Sequence, residues 1–257
     1  MVGGRGMLHR VEGIVIRSMD YGEGNAIITL CTENAGKVGV LVRGAKKVKS
    51  RHAALIQLFT VGEFVFFRNN GGLGTLNSGE ITKSHHPLRE DLIKAAYASY
   101  ACELLDKVLH DEETGSFWFR QLTACLNALE EDKEPGVIIN VYEMKILQAA
   151  GYGPEFDTCV ICGAEKPDEQ LLISPRLGGA LCRSCKHNDP PAMEVSARAL
   201  KLLRLFARLD LTRLGNVDVK ESSRDELKKI MRAFMDVQLG LKLKSQNFLD
   251  QLDKYKI

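Results

Sequence analysis

The spacing of apolar residues changes once along the chain, near residue 83. Before that point the apolar residues form short runs, and Val38, Val40 and Val42 occupy every second position, the period of a strand with one face in a core. Turn-forming stretches rich in Gly, Asn and acidic residues separate the runs. We predict five strands, at residues 11–17, 26–32, 37–43, 63–68 and 72–82.

Five short strands in one small region are the outline of an OB-fold, a partly open five-stranded barrel. An SH3-like barrel or a plain meander would give a similar outline. Between the third and fourth strands, residues 48–59 change from polar to apolar, which predicts a short helix or an irregular crossover. We therefore expect an N-terminal barrel domain at residues 1–83.

Beyond Pro87 the apolar residues recur at helical spacing and predict helices at residues 88–109, 117–129, 137–150, 196–209 and 224–243. Ser196 is the expected N-cap of the fourth helix, and Ser223 with Glu226 forms a capping-box pattern at the fifth. Residues 151–191 interrupt the helical pattern. The expected fold class is α+β, with the barrel followed by a helical domain at residues 84–257 that carries an insertion at about 151–191.

The insertion holds four of the seven cysteines as two C-x-x-C pairs, Cys159, Cys162, Cys182 and Cys185, with nineteen residues between the pairs. This is the spacing of a four-thiolate zinc site, because the two-residue spacer lets both sulfurs of a pair face one ion. Four thiolates fill a tetrahedral coordination sphere, so the expected cofactor is one structural Zn²⁺. Cys31, Cys102 and Cys125 lie in apolar segments and are expected in the core, and the nearby His187 is expected at the surface.

The net charge of +2 conceals a segregation of charge along the chain. Residues 1–83 carry 11 basic and 6 acidic side chains, residues 103–134 carry 3 and 9, and residues 198–257 carry 14 and 8. Residues 43–51, RGAKKVKSR, form a basic loop without an acid, whose five cations are Arg43, Lys46, Lys47, Lys49 and Arg51.

The basic loop follows the third predicted strand, beside the face with which OB-folds hold single strands. We therefore predict that its cations contact DNA phosphates, although a solubilising loop would have the same composition. Arg17 and Lys37 are further candidates for DNA contacts. The cations Lys228, Lys229 and Arg232 near the C-terminus are more diffuse ones.

Base stacking would require exposed aromatic rings in the barrel domain. The available rings are Tyr21, Phe59, Phe64, Phe66 and Phe67. Phe64 and Phe66 share one strand face and Phe67 lies on the other, so we expect most of the rings in the core and at most one or two against a nucleic acid.

Motifs of catalysis and of membrane insertion do not occur in the sequence. It contains no Walker loop, no HExxH and no GxSxG, and the expected protein is a binder and not an enzyme. No apolar run reaches the roughly 18 residues that a membrane span requires, and the first residues lack the apolar segment of a signal peptide. We expect a cytoplasmic protein without a membrane partner, for which Met7 is an alternative start.

Three stretches resemble the RecO family of bacterial recombination mediator and DNA repair proteins. They are GIVIRSMDYGEGNAIITLCTENAGKVGVLVRGAKKVKSR at residues 13–51, GYGPEFDTCVICG at 151–163 and GGALCRSC at 178–185. The first is similar to the N-terminal domain of the family and the other two look like its zinc-binding segment. The order of these parts and the chain length also fit, so the resemblance extends from Met7 over essentially the whole chain.

The resemblance implies an OB-fold followed by a helical domain with a zinc finger. It also implies a protein that binds single- and double-stranded DNA and anneals complementary strands covered by single-strand-binding protein. The implied protein partners are RecR, the C-terminal tail of single-strand-binding protein and, indirectly, the RecA recombinase. The zinc ligands of the family fall on the four paired cysteines.

Two other classes of protein remain open at this point. A protein-interaction adaptor would use the barrel and the zinc segment to bind other proteins, and its basic loop would be incidental. A nuclease or other zinc enzyme would need fewer than four thiolates on the metal and an open coordination position. A DNA-binding protein that neutralises about five phosphates would instead show a log–log salt slope near −3.5 on a single strand.

Overall fold

The computed structural model describes residues 7–69, 72–110, 113–131, 133–165, 170–215 and 219–255. The chain forms two compact units, of which the first combines Met1–Glu131 with Leu243–Ile257 and the second is Asp132–Lys242. The domain boundary expected between residues 83 and 84 falls inside the first unit. The second unit is thus inserted between two parts of the first.

The first unit begins with five strands that close into a barrel in the order β1-β2-β3-β5-β4. Neighbouring strands are antiparallel except β3 and β5, which are parallel. The five predicted strands are confirmed, and the first is longer than predicted because one end pairs with β4 and the other with β2. Their bounds are β1 Met7–Tyr21, β2 Asn25–Thr32, β3 Lys37–Val42, β4 Val61–Arg68 and β5 Gly74–Lys83.

Successive side chains of a strand point to opposite faces, and those that point into the barrel are apolar. Val38, Val40 and Val42 are buried, as their period predicts. Between β3 and β4 the chain forms a series of turns and not a helix, which confirms the irregular crossover. Leu55 and Ile56 from this crossover pack into the barrel core.

Three helices follow the barrel in the first unit: α1 His86–Glu90, α2 Leu92–Val108 and α3 Ser116–Glu130. The prediction of one helix at residues 88–109 is wrong, because the chain is extended at Asp91. The Asp91 carboxylate accepts a hydrogen bond of 2.9 Å from the backbone N–H of Lys94 and so begins a new helix.

The junction between β5 and α1 contains a buried histidine where the sequence indicates only a linker. His85 adopts a left-handed backbone with φ of 47°, and its Nδ1 lies 2.8 Å from Oε1 of Glu130 on α3. The other oxygen of Glu130 lies 2.6 Å from Nζ of Lys83. Burial lowers the pKa of His85, and the attraction of Glu130 only partly opposes this, while Lys83 and Arg89 lower the pKa further.

The second unit combines helices with a small sheet. Its bounds are α4 Pro135–Ala149, β6 Leu171–Ser174, β7 Gly179–Cys182, β8 Met193–Glu194, α5 Ala197–Arg208 and α6 Glu221–Phe234. The three strands form an antiparallel sheet in the order β7-β6-β8. The predicted helices at residues 137–150 and 196–209 are confirmed. The sheet was not predicted, because the sequence pattern shows only that the helices are interrupted there.

The last predicted helix, residues 224–243, ends earlier than expected. After α6 the chain forms a π-helical turn at Met235–Leu239 and leaves the helix at Gly240, whose φ is 61°. The predicted capping box is also wrong, because Ser223 lies inside α6 and is buried. Glu226 instead accepts hydrogen bonds of 2.6 Å from the N–H and the hydroxyl of Ser196, the confirmed N-cap of α5.

A seventh helix, α7 Lys244–Tyr255, returns the chain to the first unit and was not predicted. Leu249 and Leu252 are its buried apolar residues. The Glu103 carboxylate on α2 accepts hydrogen bonds from the N–H groups of Lys244 and Ser245 and from the Ser245 hydroxyl. A side chain 141 positions away in sequence therefore caps this helix. None of the described helices has the length and apolar content needed to span a bilayer.

Candidate functional site: a four-cysteine cluster and a basic loop

The first cysteine pair lies on a tight turn of the second unit. The N–H of Gly163 donates to the carbonyl of Cys159 at 2.8 Å, and the N–H of Cys159 donates to the carbonyl of Ala164 at 3.1 Å. Gly163 has φ of 67°, a conformation that favours glycine over residues with a Cβ. The chain thus folds back after Cys162, as the spacing predicts.

The second pair lies where β7 passes into a 3₁₀ helix, Arg183–Asn188, so that Cys182 ends the strand and Cys185 lies on the helix. Two backbone hydrogen bonds join the first turn to β7: Val160 N–H to Ala180 O at 2.9 Å, and Ala180 N–H to Glu155 O at 2.7 Å.

Gly179 permits this close approach of the two chain segments. A Cβ at Gly179 would lie 2.0 Å from the carbonyl oxygen of Glu155, a distance at which atoms clash. The cysteine pairs are therefore held together by backbone packing as well as by any ligand.

The four sulfur atoms form one cluster. All lie within 4.8 Å of one another, and the sulfurs of Cys162 and Cys182 are 3.9 Å apart. A tetrahedral ion with metal–sulfur distances of about 2.3 Å requires sulfur separations of about 3.8 Å. Within the described residues this is the one group of three or more potential ligands so arranged. The donor set and its spacing therefore fit one metal ion held by four thiolates.

Backbone N–H groups stabilise a thiolate in the cluster. Burial raises the pKa of the Cys159 thiol, but N–H groups of Cys182, Cys162 and Ile161 point at its sulfur and lower the pKa to about 6. The thiolate is the form that binds a metal ion. Hydrogen bonding to Cys182, with burial and the other sulfurs, raises the pKa of Cys185 to about 12.

Polar contacts fix the strands that carry the cluster. Asp189 is buried and accepts hydrogen bonds from the hydroxyl of Ser174 at 2.5 Å and from Nε of Arg176 at 2.8 Å. Burial raises the pKa of Asp189, but these two donors outweigh it and lower the pKa. His187 is exposed and lies outside the cluster, with its Nδ1 3.1 Å from the carbonyl of Ser184. This confirms the surface position expected for His187.

The basic loop packs against the hairpin between β1 and β2. The Asn25 side-chain oxygen accepts a hydrogen bond of 2.9 Å from the N–H of Gly44, and the carbonyl of Gly24 accepts one of 3.0 Å from Lys46. These bonds join the first residue of β2 to the residues after β3. The five loop cations thus project from a defined end of the barrel.

All five cations of the basic loop are exposed, and four of them have no acidic partner in the described part of the chain. Lys46 pairs with Asp20, whose Oδ1 lies 2.7 Å from Nζ. Elsewhere in the described chain no acid lies within ion-pair distance of the other four cations, Arg43, Lys47, Lys49 and Arg51. Arg51 donates to His52 at 3.2 Å, and burial with this neighbouring charge lowers the pKa of His52. The pairing of Asp20 with Lys46 could not be predicted from the sequence, because 26 positions separate the two residues.

The two further DNA-contact candidates lie away from the basic loop. Lys37 begins β3, about 20 Å along the strand from Arg43, and its side chain is only 17% exposed. Its Nζ lies 3.4 Å from Oδ1 of Asp106 and donates to the Asp106 carbonyl at 2.8 Å. Arg17 is exposed and lines a cavity of about 380 Å³ together with Glu103 and Asp106. The side chains of Arg43, Lys47, Lys49 and Arg51 are therefore more accessible to an anion than that of Lys37.

The remaining sequence candidates divide between surface and core. Lys228 and Lys229 are exposed on α6, where Lys228 and Arg232 already interact with other groups. Of the five aromatic rings, Phe59, Phe64 and Phe66 are buried, and Tyr21 and Phe67 are exposed. The expectation that most rings are core is confirmed.

Two family models together match most of the chain. Residues 7–85 match the model described as recombination protein O N terminal, and residues 89–247 match recombination protein O C terminal. These matches identify a protein of DNA recombination and repair. Curated relatives agree over nearly the full length, so the chain belongs to the RecO family of DNA repair proteins.

The curated relatives include the DNA repair protein RecO of Halalkalibacterium halodurans, 42% identical over 247 residues, 96% of each chain. The RecO of Bacillus mycoides is 43% identical over 251 residues, 98% of this chain and 100% of the relative. The RecO of Listeria welshimeri is 40% identical over 249 residues, 97% and 96% of the two chains. Membership of this family implies a role in recombinational repair.

Proposed function

We propose that this protein is a recombination mediator that binds single- and double-stranded DNA, anneals complementary strands covered by single-strand-binding protein, and helps to load the RecA recombinase together with RecR. The observation that carries the proposal is the exposed basic loop on the barrel, in which four of five cations have no acidic partner among the described residues. Such cations bind phosphates and release counterions from either form of DNA.

We also propose that the barrel is an OB-fold. Its closed five-stranded order, with an irregular crossover between β3 and β4, supports this assignment. OB-folds bind oligonucleotides on the face of their second and third strands and on the adjoining loops. The basic loop follows β3 and packs beside the β1–β2 hairpin, which is the region where such a ligand would lie.

Annealing follows physically from a cationic surface. Two DNA backbones repel each other, and fixed positive charges lower this repulsion over distances of about 10 Å at moderate salt. Pairing itself supplies the free energy of annealing, so no bond is made or broken by the protein. We therefore propose a non-enzymatic role.

The four-cysteine cluster is proposed to hold one structural Zn²⁺ through Cys159, Cys162, Cys182 and Cys185. The ion would link the turn before β6 to the end of β7, and four thiolates leave no coordination position for a substrate. The partners RecR, single-strand-binding protein through its C-terminal tail, and RecA are proposed from the family resemblance, as is action in the cytoplasm.

Annealing of complementary oligonucleotides precoated with single-strand-binding protein tests the proposal. We expect the protein to accelerate annealing without added nucleotide. The variant Lys47→Glu/Lys49→Glu should lose this activity, whereas the matched charge change Arg120→Glu/Arg213→Glu, at exposed cations on α3 and after α5, should retain it. If the first variant bound DNA and annealed strands as well as the unmodified protein, the adaptor function would replace the one proposed.

A further inference from the structure

The basic loop carries an apolar side chain at its centre. Val48 lies between Lys47 and Lys49, and its relative exposure of 103% means that it packs against no other part of the described chain. Burial of a side chain of this size normally stabilises a folded protein. Val48 contributes no such stabilisation to the barrel, and its apolar surface remains free for a ligand.

A second exposed apolar group lies at the same end of the barrel. Tyr21 is the last residue of β1 and is 52% exposed. Its neighbour Asp20 pairs with Lys46, and the hairpin residue Gly24 accepts the Lys46 N–H. Lys46 therefore connects the strand end that carries Tyr21 to the loop that carries Val48.

The cations and the apolar side chains differ in whether they can distinguish single-stranded DNA from a duplex. Lysine and arginine bind phosphates, which single strands and duplexes both expose. Aromatic and aliphatic side chains bind base faces, and these are exposed in a single strand but stacked inside a duplex. We infer that Tyr21 and Val48 contact unpaired bases and thereby give the basic loop a preference for single-stranded DNA over a duplex. This inference rests on the proposed DNA binding at the loop.

Affinities for a single strand and for a duplex of equal length test the inference. Tyr21→Ala should weaken single-strand binding about tenfold, within the range for loss of one base–aromatic stack. Val48→Ser should weaken it several-fold, and duplex affinity should change less than twofold in both variants. Neither change removes a cation, so the log–log salt slope should remain as in the unmodified protein.

Matched controls come from exposed residues of the second unit, where Tyr152→Ala and Val237→Ser remove the same chemical groups. Both should leave either affinity unchanged. As a direct readout, an oligonucleotide containing 2-aminopurine should lose fluorescence on binding through stacking, and Tyr21→Ala should reduce this quenching.

Three outcomes are distinguishable. Equal weakening of single-strand and duplex binding would overturn the inference in favour of an apolar wedge inserted into the duplex. Unchanged affinities in Tyr21→Ala and Val48→Ser, with binding lost in Lys47→Glu/Lys49→Glu, would overturn the inference and leave the proposed function standing. Unchanged binding in all of these variants would overturn both.

Discussion

If the basic loop binds DNA as proposed, the salt dependence of the affinity should distinguish its cations by their partners in the fold. Lys46 is already paired with Asp20 at 2.7 Å, so we expect it to stay with this carboxylate and to neutralise no phosphate. The other four cations of the loop have no acidic partner among the residues that the structure describes. On a single strand each contributes about −0.7 to the log–log slope, which gives about −2.8 for the unmodified protein.

Single substitutions should change this slope in different ways. Lys49→Ala removes an unpaired cation and should reduce the slope to about −2.1, whereas Lys46→Ala should leave it near −2.8. Asp20→Asn frees Lys46 and should increase the slope to about −3.5. Between 50 and 200 mM salt, the affinity should fall about 20-fold with a slope of −2.1, about 50-fold with a slope of −2.8 and about 130-fold with a slope of −3.5.

Fluorescence anisotropy with a labelled single strand, titrated at four or more salt concentrations, measures the slopes. Arg120→Ala, which removes an exposed cation on α3, serves as the control and should keep the slope of the unmodified protein. Equal reductions in Lys46→Ala and Lys49→Ala would refute the reasoning, because Lys46 would then leave Asp20 and bind phosphate as the others do. A slope that none of the loop substitutions changes would place the DNA elsewhere.

Further expectations concern stability. Removal of the metal by a chelator, or Cys182→Ser, should lower the unfolding temperature of the second unit by roughly 4–8 °C for each kcal/mol of stability lost. The unfolding temperature of the first unit should not change. Calorimetric traces that are identical with and without metal would contradict a structural ion. His85 has a lowered pKa in the folded protein, so below about pH 6.5, the pKa of histidine in the unfolded chain, the unfolded state binds the proton more readily. The free energy of unfolding should therefore fall as the pH drops below this value. The fall should be smaller in His85→Asn. Urea titrations at pH 7.5 and 5.5 measure this, and equal losses in both proteins would exclude His85 as the cause. Ser196→Ala should cost about 1 kcal/mol and Ser196→Thr much less, also by urea titration; equal stability would mean that the cap is unimportant.

Local patterns were sufficient to predict most regular elements. In β3 and most of β2, buried residues alternate with half-buried ones, and the C-x-x-C pairs bring sulfurs together through bends that each need only a few residues. These features depend on neighbours in sequence, so the sequence alone contains the relevant physics.

Elements that depend on distant side chains were missed or placed wrongly. Glu226 belongs to a capping-box pattern in sequence, yet its carboxylate caps a different helix through Ser196. Helix α7 has few apolar residues, and its first N–H groups are satisfied by Glu103. The break at Asp91 was hidden because an aspartate on a polar helix face does not disturb the apolar period. The ion pair of Lys46 with Asp20 likewise required the fold.

The return of the chain to the first unit has a consequence for dissecting the protein. The barrel unit is discontinuous in sequence, since Leu249 and Leu252 of α7 are buried in it although more than a hundred residues separate them from α3. A truncation after Lys242 would therefore spare the cysteine-bearing unit and strip the barrel unit of its last helix. To obtain the barrel unit alone, Glu131 would have to be joined to Leu243 by a short linker, with the second unit removed as a cassette.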